Sequence, residues 1–198
     1  MLPPCRIHIT GGFVLLAAWF VLANGWEPLA TVLLAAAAHE LGHWIVLRAL
    51  GAEVTSFRLS ALGAVLETDS GRLSYGGELA ATLAGPAANL LAALALTAPG
   101  GDRRMAAIGA NLVLCVFNLL PIRPLDGGRA LYLLASWLGG PAAGEAAARW
   151  AGTFTAAALA GAAVCVMWGT GGSLWLLPAL CASVYWGTRP WLPARVHP

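Results

Sequence analysis

The chain contains no lysine. All 11 of its basic residues are arginine, they face only 9 acidic ones, and charged residues make up 10% of 198 positions, where about 25% is usual. Twenty formal charges cannot cover the surface of a soluble globule of this size, which excludes that class. The net charge of +2 is small, and Arg103-Arg104 is the only adjacent basic pair. With no basic stripe, no nucleic-acid partner is expected. Cysteine is scarce as well: Cys5, Cys115, Cys165 and Cys181 show no C-x-x-C spacing, so they read as small hydrophobes, not as a disulfide or metal framework. A cleaved leader is not expected, because Arg6 is a lone charge and no A-x-A site follows the first apolar run. No internal repeat, low-complexity linker or second domain is evident, so residues 1–198 read as one domain.

What is present is apolar. Residues of the AVILMFWYC set reach 59%, with nine Trp, 24 Gly and 12 Pro, far more apolar surface than a disordered chain carries. The chain reads as an integral membrane protein. Since about 20 apolar residues cross the hydrocarbon layer, the uncharged runs predict an all-α polytopic protein with six transmembrane helices, at 9–26, 28–47, 79–99, 105–121, 150–168 and 172–188. The last two are separated by Gly169-Thr170-Gly171-Gly172, a turn signal. Leu131–Gly144 is apolar but short and broken by Gly139-Gly140-Pro141, so it reads as a re-entrant or interfacial helix. With the N-terminus in the cytoplasm, nine arginines fall inside and only Arg103 and Arg104 outside, in agreement with the positive-inside tendency. Both termini are therefore expected in the cytoplasm. Between the second and third spans, residues 52–69 alternate β-branched or aromatic with polar residues around Gly63, which predicts a short β-hairpin. It reads either as a surface hairpin or as an edge able to pair with an extended peptide.

One span breaks the rule that charge avoids hydrocarbon. A central Asp costs roughly 2.5–3.5 kcal/mol on insertion scales, and Glu is comparable, yet the second span contains His39-Glu40-Leu41-Gly42-His43. Residues four apart share a helix face with Cβ atoms about 5–6 Å apart, so two imidazoles can converge on one metal ion while Glu40 projects beside it: the H-E-x-x-H arrangement. A catalytic zinc takes three protein ligands and keeps one position open. His8 and His197 lie at the chain ends, and Glu27, Asp102 and Glu145 fall in expected loops. Asp126 follows Pro121 and Pro124, which forbid regular helix, and precedes Gly127-Gly128, which permit unusual backbone angles. It is the expected third ligand, the alternative being a cap for the helix that follows. Asn89, in Gly85-Pro86-Ala87-Ala88-Asn89, and Asn118 are mid-membrane amides, each either bonding between helices or contacting substrate.

HELGH at 39–43, GPAAN at 85–89 and NLLPIRPLDGG at 118–128 together resemble the site-2 protease family of intramembrane zinc metalloproteases, and within it the branch of stage IV sporulation protein FB. The resemblance covers nearly the whole chain and implies a six-span catalytic core. It makes His39, His43 and Asp126 the ligands of one zinc ion (Zn2+) per chain, Glu40 the catalytic base and Asn118 a residue lining the substrate path. It also implies regulated intramembrane proteolysis in a bacterial cell membrane, of the kind that activates sporulation transcription factors. The substrate would be a membrane-associated or single-span protein, with membrane-protein regulators. That branch carries a nucleotide-binding CBS domain after the last span; this chain ends about ten residues after its sixth expected span, so no nucleotide-binding domain is expected. Two rival classes are a catalytically silent membrane scaffold with a structural zinc and a metal permease. The second fits poorly, because a base beside the metal has no role in conduction.

Overall fold

The computed structural model of the protein describes residues 6–60, 63–69, 73–97 and 102–169. The chain divides into two compact units, one ending at Phe117 and the other beginning at Asn118.

In the first unit, strand β1 (Arg6–Ile9) leads into helix α1 (Gly11–Asn24), whose start is capped by the Thr10 side chain accepting from the Phe13 N–H. Gly25, at φ +86°, ends α1 and turns the chain directly into helix α2 (Trp26–Ala49). Strands β2 (Glu53–Ser60) and β3 (Gly63–Asp69) follow, and helices α3 (Tyr75–Ala95) and α4 (Asp102–Asn118) complete the unit. The segment expected as a hairpin contains β2 and β3, antiparallel, with Phe57 opposite Leu66 and an irregularity between Val54 and Ser56. Its other edge is taken: β1 pairs parallel with β2, Ile7 opposite Phe57, giving the order β1-β2-β3. That third strand was not anticipated, because four residues before an apolar run are too few for a clear alternation.

Helices α2 and α3 form the main packing surface of this unit. Leu47, Ala52 and Ala81 are buried together with Val46 and Leu73 against them, which joins the C-terminal end of α2 to the start of α3. At the opposite end of α2, Arg103 at the start of α4 pairs with Glu27 at 2.8 Å. Helices α2, α3 and α4 thus run in alternating directions, with the sheet at the end away from Glu27. Ser74 caps α3 by accepting from Gly77 N–H, and α3 continues through Pro86. The Gly-Pro step is therefore not a break, since the helix loses one hydrogen bond there and stays packed on α2.

After Asn118, the last residue of α4, the second unit continues as irregular chain from Leu119 to Leu125, followed by α5 (Asp126–Gly139) and α6 (Pro141–Gly169), which pack on each other. Gly140, at φ +82°, makes the turn, and Pro141 occupies the first position of α6, where its missing N–H costs nothing. At this junction Gly144 lies so close to Ser136 and to the Tyr132 carbonyl that a Cβ there would meet the latter at 2.7 Å.

Several expected spans change. Among the described residues three helices are long and apolar enough to cross a membrane: α2, α3 and α6. Six are not found. Helix α1 is apolar but has 14 residues, about 21 Å at 1.5 Å per residue, short of a hydrocarbon layer of about 30 Å. Helix α4 has 17 residues and begins with Asp102-Arg103-Arg104. The span expected at 150–168 is the latter part of α6, which starts at Pro141 and includes Glu145 and Arg149. The re-entrant helix expected at Leu131–Gly144 ends earlier, at Gly139. The span expected at 172–188 lies outside the described residues. Uncharged runs mark where charge is absent, whereas caps and positive-φ glycines decide where helices end. Much of the apolar side-chain surface points outward: Leu22 on α1 and Trp168 on α6 are 88% and 87% exposed. Exposed apolar surface on this scale belongs against lipid, and the protein is a membrane protein.

Candidate metal centre

Helix α2 places His39 and His43 one turn apart on the face that meets α3. Their Nε2 atoms are 3.1 Å apart and their rings are nearly perpendicular, at 81° with centroids separated by 4.7 Å. The other nitrogen of each ring is held. His43 Nδ1 lies 2.8 Å from the Ala81 carbonyl oxygen, which can only accept, so Nδ1 carries the hydrogen and donates. His39 Nδ1 lies 2.6 Å from Asn89 Oδ1. The orientation of that amide follows from its other contacts: Asn89 Nδ2 donates to the Ala35 carbonyl and to Asn111 Oδ1, both at 2.9 Å. Oδ1 therefore faces His39, and His39 Nδ1 is the donor.

Each Nε2 atom consequently carries a lone pair and no hydrogen, and the two lie 3.1 Å apart. Neutral imidazoles so arranged repel; a cation shared between them removes the repulsion. The spacing is close to the roughly 3.3 Å expected for two nitrogens about 2.0–2.1 Å from one tetrahedral zinc. Hydrogen bonding of the distal ring nitrogen to a carbonyl or carboxamide oxygen is the usual way a zinc histidine is oriented. The residues present fit a metal ion.

Small residues bring α3 this close. A Cβ at Gly85 would stand 2.6 Å from His43 Cε1 and 2.8 Å from His39 Cε1, so a side chain there would fill the space beside the two rings. A Cβ at Gly42 would meet the Ala84 carbonyl oxygen at 2.5 Å and Ala88 Cβ at 2.7 Å. The GPAAN segment thus serves in two ways: Gly85 keeps the space free and Asn89 orients a ring.

The structure brings His39, His43 and Asn89 together, and Glu40 follows His39 on α2, half-buried. Of the two readings of Asn89, bonding between helices is the one its surroundings fit: it is 0% exposed and bonds His39 and Ala35 on α2 and Asn111 on α4, so it positions His39. Asn118 and Asp126 lie in the second unit. Asn118 closes α4, half-buried. Asp126 is the first residue of α5, with Leu125 in the cap position, where a carboxylate also complements the helix dipole. Gly127 and Gly128 are ordinary helical residues, without the unusual backbone angles expected of them. Their role is contact: a Cβ on Gly127 would collide with the Leu119 carbonyl, and one on Gly128 would meet the Ile122 carbonyl carbon and oxygen at 2.8 Å. The irregular chain folds back onto the first turn of α5, and only glycine permits it there. Asn111 was not among the expected site residues, although it carries the same signal as Asn89, an amide inside an uncharged run.

No protein-family model matches the chain. It is 36% identical over 182 residues to the candidate zinc metalloprotease Rip3 of Mycobacterium tuberculosis, covering 84% of this chain and 45% of that protein. To a candidate zinc metalloprotease of Synechocystis it is 38% identical over 103 residues, 48% of this chain and 27% of that one. A zinc metalloprotease of Methanocaldococcus jannaschii matches at 29% over 147 residues, 67% of this chain and 43% of the relative. The chain thus spans less than half the length of each of these relatives. Among solved structures it resembles the site-2 protease of Methanocaldococcus jannaschii, with a TM-score of 0.59 and 20% identity over 97% of this chain and 94% of that one. It shares the fold of that protein.

Proposed function

We propose that the protein is a zinc metalloprotease of the site-2 type, hydrolysing a peptide bond in or near a membrane segment of another protein. The observation that carries the reading is the approach of the two Nε2 atoms to 3.1 Å on α2, with both Nδ1 atoms committed to oxygen acceptors so that each Nε2 presents a lone pair. The similarity to zinc metalloproteases and the shared fold support it. In this reading His39, His43 and Asp126 hold one zinc ion per chain, and Asn118 lines the substrate path. The setting is a bacterial membrane crossed several times, with both termini in the cytoplasm, and the process is regulated intramembrane proteolysis.

When bound, zinc acidifies water and polarises a carbonyl oxygen. The chain's own residues do the rest. Asn89 and the Ala81 carbonyl keep both histidines in the ligating tautomer. The Glu40 carboxylate takes a proton from the attacking water at one of its oxygens and delivers it to the departing amide nitrogen, a transfer worth about 10²–10⁴ in rate. Gly85 leaves room beside the rings.

The test reconstitutes the full chain in vesicles with a panel of single-span proteins and membrane-tethered transcription-factor precursors, beside Glu40→Gln and His43→Ala. Native protein should yield fragments. Glu40→Gln should bind zinc normally and yield fragments at least about 100-fold more slowly; His43→Ala should lose both zinc and cleavage. Equal fragment yield from native protein and Glu40→Gln would overturn the reading. Zinc retained with no cleavage of any panel member would favour the scaffold instead.

A further inference from the structure

Asn89 sits at the junction of three helices. Its Oδ1 accepts from His39 on α2, and its Nδ2 donates to Ala35 on α2 and to Asn111 on α4. Asn111 is itself fixed: it is 5% exposed and its Nδ2 donates to the Ala107 carbonyl at 2.9 Å, so its Oδ1 is the atom turned toward Asn89. An amide can rotate by a half-turn at little intrinsic cost. If Asn89 did so, its Nδ2 would face His39 Nδ1 and its Oδ1 would face two acceptors, Ala35 O and Asn111 Oδ1. His39 would then be driven into the opposite tautomer, with hydrogen on Nε2 and no lone pair for a metal.

We infer that Asn111, acting through Asn89, is a positioning residue that holds His39 in the tautomer offering Nε2 to the ion. The inference deepens the proposed metal site and rests on His39 being a ligand. The order runs from the Ala107 carbonyl to the Asn111 amide, to the Asn89 amide, to the His39 ring, each member leaving its neighbour one orientation. Ala35 supplies one of the two acceptors that hold Asn89 and Asn111 the other; removing Asn111 leaves a single lock.

The experiment uses the full chain in lipid nanodiscs, labelled with 15N-histidine and stripped of metal by chelator. At pH about 8, where imidazoles are ordinarily neutral, the 15N shifts of His39, assigned by difference with His39→Asn, report which ring nitrogen carries hydrogen. Zinc affinity is measured on the same samples by competition with a chromophoric chelator. The native chain should show one tautomer, with hydrogen on Nδ1. Asn111→Leu, with the same branched heavy-atom shape and at ease in an apolar bundle, should show both tautomers and bind zinc about 10-fold more weakly, at the lower end of outer-sphere effects. Asn111→Asp, which keeps an oxygen toward Asn89, should restore the single tautomer. A tautomer and an affinity unmoved in Asn111→Leu, even with a lowered melting temperature, would overturn the inference. If the native chain binds no zinc while the tautomer still answers to residue 111, the relay stands and the metal reading falls. Should Asn111→Leu not fold, Asn111→Ala removes the same oxygen without added bulk and carries the same expected outcomes.

Discussion

At the scale of single residues, the site depends on which atom of each side chain carries hydrogen. His39 and His43 are suited to act as the proposed ligand pair because two oxygens, Asn89 Oδ1 and Ala81 O, claim their Nδ1 hydrogens. Removing the first should loosen His39 without touching any atom that meets an ion. Asn89→Ala is expected to weaken zinc binding by about 10–100-fold. It should also lower stability by about 1–3 kcal/mol, since buried acceptors on Ala35 and Asn111 lose their donor. Chelator competition and thermal melting on the same preparation check both; an unchanged dissociation constant would remove Asn89 from the positioning role. The histidine pair was legible in the sequence because four residues along a helix is a local distance. Its support was not. Asn89 lies 50 positions from His39 and Asn111 another 22 beyond, and nothing in one segment states which distant amide it will face.

At the scale of elements, glycine acts here chiefly through closeness. In the sequence the Gly85-Pro86 step suggests weakened helix, yet α3 is continuous and Gly85 is the point where its backbone stands against both imidazoles. Adding a methyl group should force the rings or the helix aside, an overpacking cost of about 1–3 kcal/mol. Gly85→Val should go further and abolish zinc binding while the membrane-extracted protein keeps its helical circular dichroism. Wild-type zinc content in Gly85→Val would show that the space beside the rings is not needed. Gly127 and Gly128 repeat the theme against the carbonyls of Leu119 and Ile122, where the chain doubles back before Asp126. A glycine in sequence announces either freedom or proximity, and only the neighbouring backbone tells which.

At the scale of the whole molecule, composition governs. With 10% charged residues and no lysine, the exposed faces of α1 and α6 are apolar and suited to lipid. The first unit also sets its charges at two levels: Arg103 pairs with Glu27 at one end of α2, while Arg48 lies in the last turn at the other. With the arginine bias pointing inward, residue 103 should be reached from outside the cell and residue 48 from within. In a cysteine-free background, R103C should react with a membrane-impermeant maleimide in intact cells, and R48C only after lysis. The reverse pattern would invert the proposed orientation.

The sequence by itself determined the solvent and the candidate chemistry: a chain too apolar for water, and two imidazoles with a carboxylate between them on one helical turn. Both are properties of composition or of neighbours within four residues, so they survive without knowledge of the fold. Tertiary structure alone decided where helices stop, that a third strand joins the hairpin, and which buried amide orients which ring. Those outcomes depend on contacts between segments tens of residues apart, where a hydrogen-bond acceptor or a missing Cβ on one helix selects the state of a side chain on another.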